Sequence, residues 1–249
     1  MILEYIKIAW NAYKENLMSF IFASLILWTI PSIIVFIGMG IIFGSVGIST
    51  FTEIYNQKIM LSRIVYYIPL IINMGVASIL FIIASLVFLF LLIGMYGMAA
   101  QSLRGKTKVW TIFKFSKQKG LTGIIVSIIV GIISFFLFLF LIMVLDYILP
   151  FFSSYIASTI FVLIIVFFSL IFPGIIVDNL NVFESIKMSF SITKKNYLQT
   201  FGLNLFYGII FLVLMIIPVV RIIGSLIIIF ILMPMFLISL VQFYKRNKI

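Results

Sequence analysis

The densest charge in the chain is a run of six cations between residues 104 and 119, with Trp110 and Phe113 among them. Such a run suits the inner surface of a membrane. Lysines there contribute about 1 kcal/mol each toward anionic lipid, while aromatic rings sit at headgroup depth. We expect anionic headgroups of the lipid bilayer, or a membrane or cytoplasmic protein, to contact Arg104, Lys106, Lys108, Lys114, Lys117 and Lys119.

Other interpretations of this run are weaker. In water a basic, aromatic segment could bind RNA, but these charges lie beside long apolar runs, so we expect no nucleic acid partner. Gly105-Lys106-Thr107 is similar to the end of a phosphate-binding loop, yet the upstream glycine that the motif needs is replaced by Ala100. Lysine outnumbers arginine 13 to 4, so a biased composition could also raise the basic count without any function.

Few side chains are placed to do acid–base chemistry. Asp146 and Asp178 stand at the ends of apolar runs, where we expect solvated boundary residues, as we do for Arg221. The sequence has no Cys and no His, which excludes thiolate catalysis, disulfides and His or Cys metal sites. We therefore expect a non-enzymatic protein without a metal or cofactor.

Long uncharged runs separate these charged residues. The chain is 65% hydrophobic and 9% charged, and a helix that crosses a bilayer needs about 20 apolar residues. We predict an all-α, polytopic integral membrane protein that forms a single membrane domain over residues 1–249. Its six transmembrane helices are predicted at about 17–46, 66–98, 121–145, 153–177, 197–218 and 223–244.

The charges also predict an orientation. Fourteen of the 17 Lys and Arg residues fall on one side of these spans, and Lys58, Arg63 and Arg221 fall on the other. By the positive-inside rule, both termini of this multi-pass protein lie in the cytoplasm, and we place it in the cell membrane. Residues 17–48 exceed one crossing. They form either a helix kinked at Pro31 or a span followed by a glycine-rich outer loop.

Two stretches before spans resemble each other. At a shift of 180, residues 4–16 and 184–196 share five identities, and Trp10 becomes Phe190. Both predict an amphipathic helix at the cytoplasmic interface, with Ile6, Trp10 and Tyr13 on one face of the first copy. The identical pairs are Glu4 and Glu184, Ile6 and Ile186, Lys7 and Lys187, Lys14 and Lys194, and Asn16 and Asn196.

A fainter third copy lies at a shift of 103, where Val109, Phe113 and Lys117 align with Ile6, Trp10 and Lys14. Three copies would make the chain a threefold repeat of interfacial helix and transmembrane hairpin. The alternative is that any helix that enters a membrane from the cytoplasm carries an aromatic residue and some lysines.

Residues 172–203 carry a family resemblance. A proline in a span is followed by an Asp-Asn pair, an amphipathic helix with Glu and Lys, and an Asn before the next span. This pattern resembles six-helix membrane proteins of bacteria and archaea that are similar to the membrane domain of glycerophosphoryl diester phosphodiesterases. The resemblance implies a fold and a membrane role but no activity, since the catalytic domain is absent. Its motif residues are Pro173, Asp178, Asn179, Glu184, Lys187, Lys194 and Asn196.

The leading functional hypothesis is an accessory or scaffold protein that engages anionic lipid or a protein partner at its cytoplasmic face. The alternative is a transporter or permease for an apolar or amphipathic small molecule. Prolines within spans, such as Pro31 and Pro173, free backbone carbonyls and could line a cavity or a gate.

Overall fold

The computed structural model describes residues 2–55, 62–148, 152–216 and 221–248. Most of these residues are helical and none of them lies in a strand, which confirms the all-α prediction. The α-helices are α1 (Ile2–Glu15), α2 (Leu17–Tyr55), α3 (Ser62–Ser102), α4 (Thr111–Ile148), α5 (Ser153–Ile165), α6 (Ile171–Val177), α7 (Val182–Lys195), α8 (Tyr197–Ile216), α9 (Arg221–Ile227) and α10 (Met233–Asn247). A 3₁₀ segment at Val166–Phe168 follows α5 and precedes α6, and a π-helical segment at Ile228–Leu232 connects α9 to α10.

Six stretches of the described chain are long and apolar enough to cross a membrane, as predicted. The third begins ten residues before the predicted boundary because the basic residues at its start are helical too. These stretches are Leu17–Gly44, Ile71–Ser102, Thr111–Ile148, Ser153–Val177, Tyr197–Ile216 and Ile222–Asn247. Their composition and length suit a multi-pass transmembrane protein.

Helix α2 settles the alternative that the sequence left open. It continues through Pro31 to Tyr55 without a break. The alternative of a glycine-rich outer loop is therefore contradicted, because the glycines at 38–47 lie within this helix. Lys58, which was expected on the outer side of the membrane, lies outside the described residues.

The chain divides into two compact units, residues 26–88 and residues 1–25 with 89–249. Within the smaller unit, α2 approaches α3 where Gly38 faces Ala77, and the rings of Trp28 and Phe88 meet at 5.2 Å. A Cβ at Gly38 would lie 3.5 Å from the Leu80 Cβ, which is an ordinary contact distance, so an alanine would also fit at this crossing. The single membrane domain expected over residues 1–249 stays a prediction.

Unit 1, residues 1–25 and 89–249, holds most of the buried side chains. Its α1 packs on α10, α7 packs on α6, and α4 packs on both α5 and α6. Glycines let α3 and α4 approach closely: a Cβ at Gly94 would overlap the Ile112 carbonyl oxygen, and one at Gly97 would overlap the Phe115 ring. The fully buried side chains include Tyr5, Tyr13, Phe20, Ile93, Met98, Ile112, Leu170, Phe243 and Tyr244.

The two repeated stretches fold alike. Helices α1 and α7 each have 14 residues and end at an asparagine that starts the next helix. The Asn16 carbonyl accepts from the Phe20 N–H at 3.0 Å, and the Asn196 carbonyl accepts from the Thr200 N–H at 2.9 Å. The third stretch differs, since residues 111–119 are the first turns of α4 itself, and no separate helix precedes it.

Candidate functional site

The polar end of unit 1 is formed by α1, the loop at residues 103–110, the first turns of α4, α7 and the last turn of α10. The loop backbone is tied down by residues at the start of α2. Asn16 accepts from the Thr107 N–H at 2.6 Å and donates to the Gly105 carbonyl at 3.5 Å, while Ser19 donates to the Thr107 carbonyl at 2.8 Å. Asn16 is 4% exposed, so a buried side chain fixes the course of the basic loop.

The six cations expected to meet headgroups lie on this anchored loop and the adjoining turns of α4. Arg104, Lys106, Lys108, Lys114 and Lys117 are exposed, and Lys119 is half-buried. Within the described residues, ion pairs join Arg246 to Glu4 and Lys248 to Asp178, and none involves these six. Trp110, 75% exposed, stands among them. The loop thus presents unpaired charge beside an exposed aromatic ring.

Helices α1 and α7 also combine exposed lysines with an exposed aromatic ring. Trp10 and Phe190 are both exposed, and the Lys14 ammonium lies 5.5 Å from the centre of the Trp10 ring. Exposed lysines stand on the same helices at Lys7, Lys14, Lys187, Lys194 and Lys195. The structure therefore places lysines and an exposed aromatic ring on each repeated helix.

The buried faces of these helices are rotated from the predicted apolar face. In α1, Trp10 of the predicted face is exposed and Tyr13 is buried. The reason is tertiary, because the packing of α1 on α10 and of α7 on α6 sets the face that each helix buries. The buried residues are Tyr5, Ala9, Ala12 and Tyr13 in α1 and Ser185, Ser189, Ile192 and Thr193 in α7.

Ser189 repairs an interruption in the fourth candidate span. Its hydroxyl donates to the Phe167 carbonyl at 2.5 Å and accepts from the Leu170 N–H at 3.3 Å. These two backbone groups flank the break between the 3₁₀ segment and α6, which contains Pro173. A side chain thus supplies hydrogen bonds that a continuous helix would make internally.

Tyr13 does the equivalent in the sixth candidate span. Its hydroxyl donates to the Phe230 carbonyl at 2.9 Å. Pro234, four residues further on, has no N–H to bond that carbonyl, and Phe230 itself lies in the π-helical segment Ile228–Leu232. Burial raises the pKa of the Tyr13 hydroxyl above its ordinary value, so the group stays a donor.

A third hydroxyl also binds a carbonyl of a candidate span, although the helix is continuous there. Ser116, near the start of α4, donates to the Phe90 carbonyl of α3 at 2.7 Å. The residue four positions after Phe90 is Gly94, whose missing side chain leaves room for Ser116. Three helices that lead into spans therefore each bind a carbonyl of a different span, although none of the three sites could be recognised from serine or tyrosine alone.

Asp178 is not the solvated boundary residue that the sequence suggested. Its carboxylate accepts from the Tyr244 hydroxyl at 2.8 Å and pairs with the Lys248 ammonium. The next residue, Asn179, has a φ of +61°, a left-handed conformation that asparagine tolerates well. Asp178 therefore ties the end of α6 to the end of α10 because the tertiary fold brings the C-terminal residues to it.

Glu184 and Glu4 bind partners other than Lys187 and Lys7, the lysines three residues further along their helices. Glu184 accepts from the Asn181 N–H at 3.1 Å, which completes a capping box at the start of α7. Glu4 pairs with Arg246 at 2.7 Å. Both glutamates therefore serve helix placement at the polar end. Of the other motif residues, Pro173 is buried, Lys187 and Lys194 are exposed and Asn196 is half-buried.

An open groove of about 420 Å³ runs between α4 and α5, far along α4 from its basic first turns. The Ser134 hydroxyl is buried there without a hydrogen-bond partner among the described residues. Aromatic side chains dominate the lining, which consists of Gly131, Ser134, Phe135, Phe138, Ser158, Phe161 and Val162. The groove has the character of a surface that faces lipid rather than of an aqueous cavity.

In the described part of the chain, no group of three or more Asp, Glu, His or Cys side chains could hold a metal ion. Asp146, the other carboxylate weighed for chemistry, accepts from the Ser153 hydroxyl at 3.2 Å.

No known family model, curated protein or solved structure matches the chain. The resemblance to the membrane domain of glycerophosphoryl diester phosphodiesterases stays a prediction, which rests on residues 172–203.

Proposed function

We propose that this chain is a multi-pass protein of the cell membrane that acts without catalysis, as an accessory or scaffold protein. Both termini and the polar end lie in the cytoplasm, where the polar end binds anionic lipid headgroups or a protein partner. One observation carries the proposal: six cations that have no carboxylate partner among the described residues stand on a loop and helix start whose backbone is anchored by Asn16 and Ser19.

The anchoring matters for affinity. A flexible basic segment loses conformational entropy when it binds a surface, whereas this loop is already ordered by buried hydrogen bonds. Each cation near an anionic membrane surface contributes about 1 kcal/mol, and salt weakens that contribution. Exposed Trp110 adds an aromatic ring of the kind that is enriched at headgroup depth.

Native mass spectrometry of the full chain, released from micelles that contain phosphatidylglycerol or phosphatidylcholine, tests the proposal. We expect the protein to retain phosphatidylglycerol preferentially. Replacement of Lys106, Lys108, Lys114, Lys117 and Lys119 by Gln should remove that preference without changing phosphatidylcholine retention. A variant that keeps the full preference for phosphatidylglycerol would contradict the lipid-binding role. A stoichiometric protein that co-purifies with wild type but not with the variant would identify the partner as protein.

A transporter is the second candidate, and interrupted spans favour it. The breaks near Pro173 and Pro234 occur in two different spans, and paired interruptions of this kind mark substrate sites in many transporters. Because the chain has no Cys, a single cysteine can be placed at Ser169, between the 3₁₀ segment and α6 in the interrupted fourth span. A transporter predicts that labelling of this cysteine changes when candidate substrates are added to proteoliposomes, whereas a scaffold predicts constant labelling.

A further inference from the structure

A second group of cations lies at the polar end, beside the exposed lysines of the loop. The Lys245 ammonium donates to the Ala100 carbonyl at 3.1 Å, in the last turn of α3. Arg104 stands two residues beyond the end of α3 and four residues after Ala100, and Lys248 lies three residues after Lys245 in the same tail. Asp178 is the carboxylate that reaches this group, through its pair with Lys248.

The protein holds these groups in place from several sides. Tyr244 donates to Asp178 and keeps that carboxylate at the end of α10. The Arg104 N–H donates to the Gln101 carbonyl at 2.8 Å, which fixes the backbone of Arg104 at the end of α3. Lys245 is half-buried, and one of its three N–H donors is used by Ala100. Mutual repulsion among these cations is an energetic cost that a bound anion would remove.

We propose that Arg104, Lys245 and Lys248 form a binding site for a phosphomonoester group. Three cations beside one carboxylate leave a local charge of about +2. A phosphomonoester carries about −1.5 to −2 at pH 7, whereas the phosphodiester of an ordinary lipid headgroup carries about −1. The planar guanidinium of Arg104 can bind two phosphate oxygens at once, and Lys245 has two further donors.

This inference rests on the proposed function and makes it more specific, since Arg104 belongs to both surfaces. The same chemistry occurs in a lipid such as phosphatidic acid and in free phosphate or a soluble phosphomonoester. If lipid is the source, the site lets the polar end distinguish phosphatidic acid from phosphatidylglycerol. If a soluble anion is the source, that anion should compete for the site.

Binding of phosphatidic acid and of phosphatidylglycerol to the full chain in phosphatidylcholine nanodiscs is the test. We expect wild type to bind phosphatidic acid on the order of ten-fold more tightly, because one additional charge unit meets the cluster. Arg104→Gln and Lys245→Gln should bring that ratio close to one. The matched control, Lys117→Gln, should weaken both lipids while keeping their ratio. The preference should also decline below about pH 6, where a monoester loses its second charge.

Competition distinguishes the two sources of phosphate. Displacement of phosphatidic acid by inorganic phosphate or glycerol phosphate would assign the site to a soluble anion, and lack of displacement would assign it to lipid. A wild-type ratio near one, or a ratio that both Arg104→Gln and Lys245→Gln leave intact, overturns the monoester site. In that case retention of phosphatidylglycerol over phosphatidylcholine still supports the proposed function, whereas loss of both preferences overturns the two together. Arg104 is exposed, so its variant keeps the test valid if Lys245→Gln fails to fold.

Discussion

The two copies of the repeat, α1 with Asn16 and α7 with Asn196, share their length and turn but differ in what they hold. The Asn16 side chain donates to the Ala12 carbonyl at 2.9 Å, and the Asn196 side chain donates to the Ile192 carbonyl at 3.2 Å. Asn16 makes two further bonds to the basic loop. The comparison shows that both sequences determine the same local turn, whereas the additional role of Asn16 depends on the basic loop that packs against it.

The buried faces differ in the same way. α1 buries two tyrosines and two alanines, and α7 buries two serines, a threonine and an isoleucine. Each nevertheless supplies a hydroxyl to an interrupted span, from Tyr13 in one copy and Ser189 in the other. Because 189 lies one turn before the position that aligns with Tyr13, the shared feature is the position of a donor beside a broken helix and not the residue itself.

The largest effect is expected at the junction of α3 and α4, where the comparison extends to a third helix. Gly94→Ala should destabilise the protein by about 3 kcal/mol, because its Cβ would overlap a backbone carbonyl that cannot rotate away. Gly208→Ala is the control, since a Cβ there meets nothing within 4 Å and alanine favours a helix. Unfolding of the detergent-solubilised protein in SDS, followed by circular dichroism, measures both. Equal stability of the two variants would show that α3 and α4 do not pack this closely.

Asn16→Ala against Asn196→Ala tests the difference between the two copies directly. Loss of the Asn16 side chain leaves the buried Thr107 N–H without its acceptor, which should lower the free energy of unfolding by about 2 kcal/mol. Loss of the Asn196 side chain removes one hydrogen bond to the Ile192 carbonyl, which should lower it by about 1 kcal/mol. The same unfolding assay gives the two free energies. Asn16→Ala should also make the loop at 103–110 more sensitive to proteolysis. Identical losses would mean that Asn16 does not anchor the loop.

Ser189→Ala should cost about 1.5 kcal/mol, because two backbone groups lose their shared hydroxyl and can only partly bond each other. Ser191→Ala, on the exposed side of the same helix, should change stability by less than about 0.5 kcal/mol. Hydrogen exchange at residues 166–171 provides a local measure, and faster exchange is expected in the Ser189 variant alone. Unaltered hydrogen exchange at these residues would show that Ser189 of α7 does not bond the interrupted backbone of the fourth span.

The smallest effect is expected for Tyr13→Phe, which keeps the ring and removes the bond to Phe230. We expect a loss of about 1 kcal/mol, the net contribution of one hydrogen bond. Tyr155→Phe, at a side chain that is 77% exposed, is the matched control and should be neutral. If Tyr155→Phe lowers the free energy of unfolding as much as Tyr13→Phe does, the bond from Tyr13 to Phe230 is not stabilising. Tyr13 would then not match the role of Ser189 in the second copy.

Local features of the polar end could be predicted because residues that are neighbours in the sequence determine them. The ends of α1 and α7 follow from the shared asparagine and from the change between amphipathic and apolar sequence. The third copy could not be judged in this way, since Thr111–Ile148 forms one helix whose basic turns continue into the apolar ones. The side-chain partners of Glu4 and Asp178 were also beyond prediction, because they lie 242 and 70 residues away in the chain.

The sequence by itself determined the helical class, the six apolar stretches and the concentration of charge near the ends of those stretches, because hydropathy and charge are properties of neighbouring residues. Only the tertiary structure decided which helix faces are buried, which carbonyls of broken spans receive a hydroxyl, and that Arg104, Lys245 and Lys248 gather near one carboxylate. Those outcomes depend on the close approach of helices distant in sequence, and glycine and serine at the crossing points permit that approach without marking it in advance.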